Sequence, residues 1–177
     1  MRTSVVGLFP QAVALCAENI CKLTHYDPRC VGSCVIVSEL IHALVYGRQI
    51  PSVPAILDMA KRFDPQISEY VMMAWQEEDV NRLMNDDCMG YTLLTLSVAL
   101  WAFWHAESFE DGLLKVVNAG GDADTNAATA CAILGAKFGY SAIPEEYVEG
   151  LIYREQLDDV IEKLSDVCLS PIGHKGI

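Results

Sequence analysis

The sequence predicts an all-α protein, and three observations carry that prediction. Apolar residues recur at helical spacing along most of the 177-residue chain, and no segment alternates like a β-strand for more than a few residues. Asp-Pro pairs and glycines punctuate the pattern at places typical of helix ends. Hydrophobic residues make up 52% of the chain, more than a disordered segment would hold. We therefore expect one folded domain over residues 1–177, large enough to bury a core.

The first half of the chain predicts three helices and one less regular stretch. Pro10 suits the first turn of a helix over residues 11–23. Asp27 and Pro28 form a helix start, and Gly47 fits the C-terminal cap of that helix. Residues 55–63 predict a shorter helix. Residues 66–83 are weakly periodic and predict one or two exposed helices.

The second half predicts five more helices. Residues 91–105 are apolar on most faces, which favours a central helix. Ser108 begins a capping-box pattern for the next helix, which reaches about Val117. The remaining predicted helices end at Gly139 or cover residues 144–151 and 154–169, the last being amphipathic and mostly solvated.

The charge of the chain limits the classes of partner. The formal net charge is -12, which argues against nonspecific binding to nucleic acid or to anionic membranes, because both need basic patches. An anionic substrate would need local help from a cation or from backbone N–H groups. No stretch reads as long and apolar enough to span a membrane, and the run from Tyr91 to Trp104 is too short.

The cysteines indicate a reducing compartment. The chain has seven of them, an odd number with no C-x-x-C pair, and most lie in apolar helical patterns. Buried free thiols are the interpretation that this favours. Together with the lack of a signal-peptide pattern, it predicts a soluble intracellular protein.

The stretch from Asn118 to Thr125 holds the chemistry that stands out. Gly120 and Gly121 end one apolar segment, and two carboxylates and a hydroxyl follow within four residues, just before a small and apolar helix. Helix capping explains one such side chain, since the first turn of a helix has unpaired N–H groups. Two aspartates and a threonine together also suit a hard divalent cation such as magnesium, manganese or calcium. The spacing alone leaves both interpretations open.

The same stretch resembles a known family motif. Gly120-Gly121-Asp122-Ala123-Asp124-Thr125, followed by Ala127-Ala128 and Gly135-Ala136, resembles the closing motif of the ADP-ribosylglycohydrolase family, which includes the dinitrogenase reductase-activating glycohydrolase. Further matching segments are Met1-Arg2, Leu23-Thr24-His25, Asp27-Pro28-Arg29 and Gly90-Tyr91. The resemblance covers nearly the whole chain and corresponds to the family's C-terminal half.

The resemblance implies an activity and a set of site residues. The family hydrolyses the N- or O-glycosidic bond that joins ADP-ribose to a protein or small-molecule acceptor, with a pair of Mg²⁺ or Mn²⁺ ions holding the ribose and a water. By this resemblance, Asp122, Asp124 and Thr125 are the metal ligands. Asp124 is the candidate that bridges two ions and acts in catalysis. Arg2, His25 and Gly121 are the substrate-binding candidates.

The departures from the family define the alternatives. Family members carry an N-terminal half with a Thr-Asp-Asp metal motif and a catalytic carboxylate, which we expect this chain to lack. Ala123 also replaces a usual Thr. The alternative functions are a non-catalytic ADP-ribose or nucleotide-binding module and a helical interaction domain. We expect a homo-oligomer, or association with a complementing N-terminal half, because a lone half would expose apolar surface.

Other polar candidates carry weaker expectations. Asp86 and Asp87 lack the preceding threonine of the acidic metal motif, so we do not expect them to bind a metal. His42 and His105 lie within predicted helices and are interpreted as structural histidines.

Overall fold

The computed structural model describes residues 1–84 and 89–169 and is built from α-helices and short 3₁₀-helices. No strand occurs in those two ranges, so the all-α prediction is confirmed. The α-helices are α1 (Val13–Lys22), α2 (Pro28–Val45), α3 (Val53–Lys61), α4 (Pro65–Gln76), α5 (Thr92–His105), α6 (Phe109–Asn118), α7 (Ala123–Phe138), α8 (Glu145–Glu149) and α9 (Arg154–Leu169). The short 3₁₀-helices cover Arg2–Leu8, Val80–Leu83 and Tyr140–Ala142.

Helix α5 is the centre of the core, as its apolar sequence predicts. Leu93, Leu96, Leu100 and Trp101 on this helix are almost completely buried. The helix contacts α2, α4, α6 and α7, and each of these turns its own apolar face toward the same cluster. Removal of this apolar area from water is the main term that stabilises such a core.

Helix α2 corrects the expectation that no segment is long and apolar enough to span a membrane. It has 18 residues with a mean hydropathy of 1.4, which meets both criteria. However, 61% of the helix is buried inside the fold, between α1, α5 and α7. The core helix of a soluble protein has the same composition, and the packing of α2 accounts for its apolar residues.

The first residues of the chain form a 3₁₀-helix that the sequence did not predict. Three side chains of α2 hold its backbone: Ser38 donates to the Thr3 carbonyl at 3.0 Å, the His42 ring Nδ1 lies 3.2 Å from the Gly7 carbonyl oxygen, and the Tyr46 hydroxyl donates to the Leu8 carbonyl at 2.8 Å. These bonds hold the N-terminal 3₁₀-helix against α2.

Two predicted segments differ from the observed ones. Pro10 lies outside α1, which begins at Val13 after Ala12 in a left-handed conformation (φ 54°). Residues 66–83 are not simply exposed: α4 buries Ile67, Val71 and Ala74 against its neighbours. Only three α4 residues are buried, so the apolar periodicity of this stretch is weak. The sequence therefore did not predict the buried face of α4.

The local end signals were predictive. The Asp27 carboxylate accepts from the Arg29 N–H at 2.8 Å at the start of α2, and the Ser108 hydroxyl accepts from the Asp111 N–H at 3.0 Å at the start of α6. Gly139 ends α7 with a φ of 85°. A ring nitrogen of His42 and of His105 lies within hydrogen-bonding distance of a backbone carbonyl oxygen, as expected of structural histidines.

Candidate functional site

An open cavity of about 740 Å³ lies where the first turns of α2, α5 and α7 meet the N-terminal residues and the α1–α2 loop. Helix α2 contributes Arg29, Cys30 and Cys34, α5 contributes Thr92 and Thr95, and α7 contributes Thr125. Five threonine side chains and the Tyr91 ring line it, so hydroxyl groups are frequent on its wall. The cavity therefore brings Thr125, the last residue of the Asp122–Thr125 turn, next to residues from the first third of the chain.

One wall of the cavity is basic. The Arg2 guanidinium donates to the Thr24 hydroxyl at 2.8 Å and to the Ile20 carbonyl at 3.2 Å. The His25 ring Nδ1 lies 2.9 Å from the same Thr24 oxygen. Thr24 thus organises Arg2 and His25 side by side, and these two of the three predicted substrate-binding residues line the cavity, whereas Gly121 lines the adjoining recess. In a protein of net charge -12, this wall is a local positive region that suits an anionic group.

Arg29 is the second basic side chain of the cavity, and Asp27 holds it through a bidentate salt bridge. The guanidinium Nε and Nη2 atoms donate to the two Asp27 carboxylate oxygens at 2.9 and 2.7 Å. Hydrogen bonds from Arg29 lower the pKa of Asp27 from 3.8 to about 2. The partner carboxylate raises the pKa of Arg29 well above its ordinary value. Asp27 therefore stays ionised at neutral pH.

The same arginine reaches Tyr91 across the cavity. Its Nη1 donates to the Tyr91 hydroxyl at 3.4 Å, and its guanidinium carbon lies 5.9 Å from the ring centre. Tyr91 also meets the Tyr70 ring edge-on at 5.8 Å. Two neighbours thus fix the Tyr91 ring, which is one of the residues that line the cavity.

The acidic turn begins with two glycines in left-handed backbone conformation, Gly120 (φ 80°) and Gly121 (φ 63°). Other residues are strained at such angles, which explains the glycine pair at this turn. Asp122 is the N-cap residue of α7, yet its side chain makes no capping hydrogen bond. Gly121 and Asp122 line a small recess next to the main cavity, and both spaces share Gly90, Tyr91 and Thr95.

The three predicted metal ligands take different positions. Thr125 lines the main cavity, and Asp122 lines the adjoining recess. Asp124 is exposed and lines neither space, and its Oδ1 accepts from the Thr125 N–H at 2.8 Å. Asp124 is thus turned more toward solvent than its predicted bridging role suggests, and that role stays a prediction.

The three predicted ligands are oxygen donors of the types that hard cations accept, but they line different surfaces: Thr125 the main cavity, Asp122 the recess and Asp124 neither. Because Asp122 does not cap α7, its carboxylate oxygens stay free of the helix end, and no ion pair within residues 1–84 and 89–169 involves Asp122 or Asp124. Carboxylate and hydroxyl oxygens are ligands that Mg²⁺ and Mn²⁺ accept. In the same ranges, however, no three His, Cys, Asp or Glu side chains come together as a metal site. Asp86 and Asp87 lie outside the described residues.

Three cysteines line the cavity on its α1–α2 side. Burial, with the neighbouring Cys34 and Cys30 thiols, raises the pKa of Cys21 to about 12. Burial also raises the pKa of Cys30. Thiolates are the reactive form, so the raised pKa values lower the reactivity of these two thiols at neutral pH. All six cysteines in the described part of the chain are free, as the sequence predicts.

Comparison with known proteins decides the family. The family model for ADP-ribosylglycohydrolase matches residues 1–172. The chain belongs to the ADP-ribosylglycohydrolase family. The resemblance seen in the motif is therefore confirmed over nearly the full sequence.

Several relatives are enzymes with names of this family. The chain is 28% identical over 148 residues to ADP-ribosylarginine hydrolase Tri1 of Serratia proteamaculans, covering 80% of this chain and 37% of the relative. It is 25% identical over 130 residues to the ADP-ribosyl-[dinitrogen reductase] glycohydrolase of Rhodospirillum rubrum, covering 73% and 40%. An uncharacterised protein of Archaeoglobus fulgidus is 31% identical over 175 residues, covering 94% and 57%. This ADP-ribosylglycohydrolase homologue thus spans about two fifths to three fifths of the length of these relatives.

A solved structure supports the fold. A chain described as an ADP-ribosylglycohydrolase-related protein complex superimposes with a TM-score of 0.75 and 24% identity, over 93% of this chain and 57% of that one. The helical architecture is therefore that of the ADP-ribosylglycohydrolase fold.

Two site features were not predicted as such. The Arg29–Tyr91 contact joins residues 62 positions apart, and the Thr95–Asn126 hydrogen bond joins residues 31 apart. The motif match marked Arg29 and Tyr91 as family positions but gave Arg29 no role, and the sequence favoured Tyr91 as a core residue that could also line the pocket. Nothing in the local pattern around Thr95 and Asn126 shows that they meet.

Proposed function

We propose that this chain binds ADP-ribose in the cavity between α2, α5 and α7 and supplies part of a metal-dependent site for hydrolysis of ADP-ribosyl bonds. The observation that carries the proposal is the basic, hydroxyl-lined cavity of about 740 Å³ that adjoins the Gly-Gly-Asp turn. Its volume lies in the range of small-molecule sites. ADP-ribose combines two phosphates, two riboses and a flat base. Arg2 suits the phosphates, the threonine hydroxyls suit the riboses, and the Tyr91 ring suits the base.

Asp122 and Thr125 are the residues that would hold a divalent cation here, with Asp124 as a further ligand. When bound, Mg²⁺ or Mn²⁺ supplies a fixed positive charge that orients ribose hydroxyls and lowers the pKa of a bound water. The two carboxylates contribute the charge that retains the ion. The Thr125 hydroxyl extends the ligand set toward the cavity.

A non-catalytic binding role is the second candidate, and one observation favours it for the chain by itself. Asp27 is the only carboxylate in the described lining of the main cavity, and its low pKa keeps it ionised at neutral pH. It cannot donate a proton to a leaving group under these conditions. A general acid for bond cleavage would have to come from residues outside this lining.

The names of the relatives and the lining of the cavity together support a proposed substrate class. Two of the similar proteins are named as ADP-ribosylarginine hydrolases, so an ADP-ribosylated arginine is the acceptor that we propose first. We propose no binding to nucleic acid or to membranes, in keeping with the net charge. A soluble intracellular location is part of the same proposal, since the free cysteines of the described residues favour a reducing compartment.

Association with another polypeptide is also proposed. Helix α9 leaves Val160 (60%) and Val167 (78%) exposed, and Ile152 before it is 78% exposed. Such apolar surface is typical of an interface. A homo-oligomer or a complementing family half remains the prediction, and sedimentation at micromolar concentration tests it. A stable monomer with no affinity for such a half would contradict it.

Calorimetric titration with ADP-ribose tests the proposal. We expect the parent chain to bind, and Arg2→Ala and Tyr91→Ala to weaken binding by about tenfold or more, since each removes a hydrogen-bonding cation or a stacking surface. Arg62→Ala is the matched control, because Arg62 is exposed and lies outside the cavity. Equal affinity in all four proteins would show that ADP-ribose binds elsewhere.

A further inference from the structure

We propose that Thr95 and Asn126 form a positioning pair that holds the acidic turn in register with the Tyr91 wall of the cavity. The Thr95 hydroxyl donates to the Asn126 side-chain carbonyl at 2.9 Å. Thr95 is the fourth residue of α5, and Asn126 is the fourth residue of α7. The bond therefore joins the first turns of the two helices that carry opposite parts of the site.

Each partner is tied to a site residue four positions earlier. The Thr95 N–H donates to the Tyr91 carbonyl at 3.2 Å, and the Asn126 N–H donates to the Asp122 carbonyl at 2.9 Å. Three hydrogen bonds in series thus run from Tyr91 to Asp122 through the side-chain pair. A shift of either helix start is transmitted to the other through this series.

The surroundings favour a positioning role over a role in general packing. Asn126 is 3% exposed, and its amide nitrogen lies 3.9 Å from the Met84 sulfur, a weak acceptor. Thr95 lines the main cavity and the recess that holds Asp122, so the bond spans the boundary between the two spaces. Within the described residues, Thr95 is the one strong hydrogen-bond partner of the Asn126 side chain, so its removal costs the buried amide much of its stabilisation.

A different contact fixes the opposite ends of the same helices. The Lys137 ammonium of α7 donates to the Phe103 carbonyl of α5 at 2.7 Å and to the Ala106 carbonyl at 3.2 Å. In the described residues, the Thr95–Asn126 bond is the side-chain hydrogen bond that joins the site ends of α5 and α7. Loss of this bond would free the site ends while the far ends stay attached.

Amide hydrogen exchange of the full chain tests the pair without any ligand. Thr95→Val keeps the shape of the side chain but removes the hydroxyl. We expect exchange in residues 122–127 to rise roughly 5- to 10-fold, as the loss of one buried hydrogen bond predicts. Thr95→Ser restores the hydroxyl and should restore slow exchange. Asn126→Leu removes the acceptor of the same hydrogen bond, at a residue that does not line the main cavity. It should act like Thr95→Val.

Ser97→Ala is the matched control. Ser97 lies two residues further along α5, is fully buried, and donates to the Tyr70 carbonyl at 3.2 Å, so its loss also removes one buried hydrogen bond. It should leave exchange in residues 122–127 unchanged. If Thr95→Val does not raise exchange there, or if Ser97→Ala raises it equally, the pair has no positioning role.

A titration with ADP-ribose and Mn²⁺ then connects the pair to the site, and this step rests on the proposed function. We expect Thr95→Val and Asn126→Leu to weaken ligand binding about tenfold, with rescue by Thr95→Ser and no effect of Ser97→Ala. If the parent chain binds no ADP-ribose, the proposed function fails, and the exchange comparison still decides the positioning role. Raised exchange with unchanged affinity would contradict the inferred link to binding.

Discussion

At the scale of single residues, Asp122 is the side chain on which the metal proposal depends most. It stands at the start of α7, where a carboxylate normally caps the helix, but it makes no capping bond. The Asp122 carboxylate oxygens are not used by the helix end. They are therefore available to bind a cation. The neighbouring Asp124 is exposed and already accepts one backbone N–H, so the two aspartates are not equivalent.

The first prediction concerns these ligands. Asp122→Ala should abolish Mn²⁺ binding because it removes a charged ligand, whereas Thr125→Ala should weaken it less, since a hydroxyl is neutral. The Mn²⁺ affinity of Asp124→Ala should lie between the affinities of these two variants. If Asp124 bridges two ions, it should be as low as that of Asp122→Ala. Titration calorimetry on the parent and all three variants measures this. Asp58→Ala is the control, because Asp58 is paired with Lys61 on α3. No binding by the parent at millimolar Mn²⁺ would contradict the metal proposal.

The second prediction concerns pH and Asp27. Its folded-state pKa of about 2 lies below the ordinary 3.8, so the Asp27–Arg29 contact contributes stability above about pH 4 and loses it as pH falls toward 2. Asp27→Asn removes this contribution. The difference in Tm between the parent and this variant should therefore shrink steadily from pH 5 to pH 2. A difference that stays constant over this window would show that Asp27 is not held in its ionised form.

At the scale of helices, the sequence predicted well what local chemistry decides. The starts of α2 and α6 follow from Asp27 and Ser108, whose side chains bond within their own first turns, and the end of α7 follows from Gly139. The burial of α4 could not be predicted in the same way, since it depends on contact with α5. The N-terminal 3₁₀-helix also escaped prediction, because α2 residues about 35 positions away hold its backbone.

In the candidate site, too, features set by neighbouring residues could be predicted, whereas features set by long-range contacts could not. The Gly-Gly-Asp turn could be found because its residues are contiguous and its glycines have a local backbone reason. The basic wall could be found only in part, through the motif match at Arg2 and His25. Arg29 becomes a site residue by reaching Tyr91 from a distant part of the sequence, and the Thr95–Asn126 pair depends on how α5 and α7 cross.

The third prediction compares two glycines within helices. A Cβ added at Gly112 of α6 would lie 2.5 Å from the Leu134 Cδ1 of α7 and 2.9 Å from the Ala106 Cβ, so Gly112→Ala forces both neighbours to shift and should cost about 1–3 kcal/mol of unfolding free energy. Gly135→Ala on α7 meets nothing within 4 Å and should be neutral or stabilising by up to about 1 kcal/mol. Chemical denaturation of both variants provides the comparison. Equal losses of stability would mean that α6 and α7 do not approach closely at Gly112.

At the scale of the whole molecule, the charge distribution reconciles an acidic protein with an anionic ligand. The net charge is -12, yet Arg2, His25 and Arg29 come together on one cavity. The chain matches 37% of one ADP-ribosylarginine hydrolase and 57% of the Archaeoglobus relative, so an activity of those longer proteins needs its own test here.

The fourth prediction concerns that activity. The chain alone should release ADP-ribose from an ADP-ribosylated arginine peptide very slowly or not at all, because the described cavity lining offers no carboxylic acid that is protonated at neutral pH. General acid–base assistance is typically worth roughly 10²–10⁴-fold. Addition of a polypeptide with the family's N-terminal half should raise the rate. Fast release by the chain alone, abolished by Asp124→Ala, would contradict this account and assign the chemistry to Asp124.

The central claim is that the cavity between α2, α5 and α7 binds ADP-ribose, and a crystal structure of the chain soaked with ADP-ribose and Mg²⁺ tests it most directly. The account predicts ligand density inside the cavity, with the phosphates near Arg2 and a ribose next to Thr125 and the Asp122 recess. Density at another surface, or an empty cavity at a ligand concentration that saturates binding in solution, would contradict it.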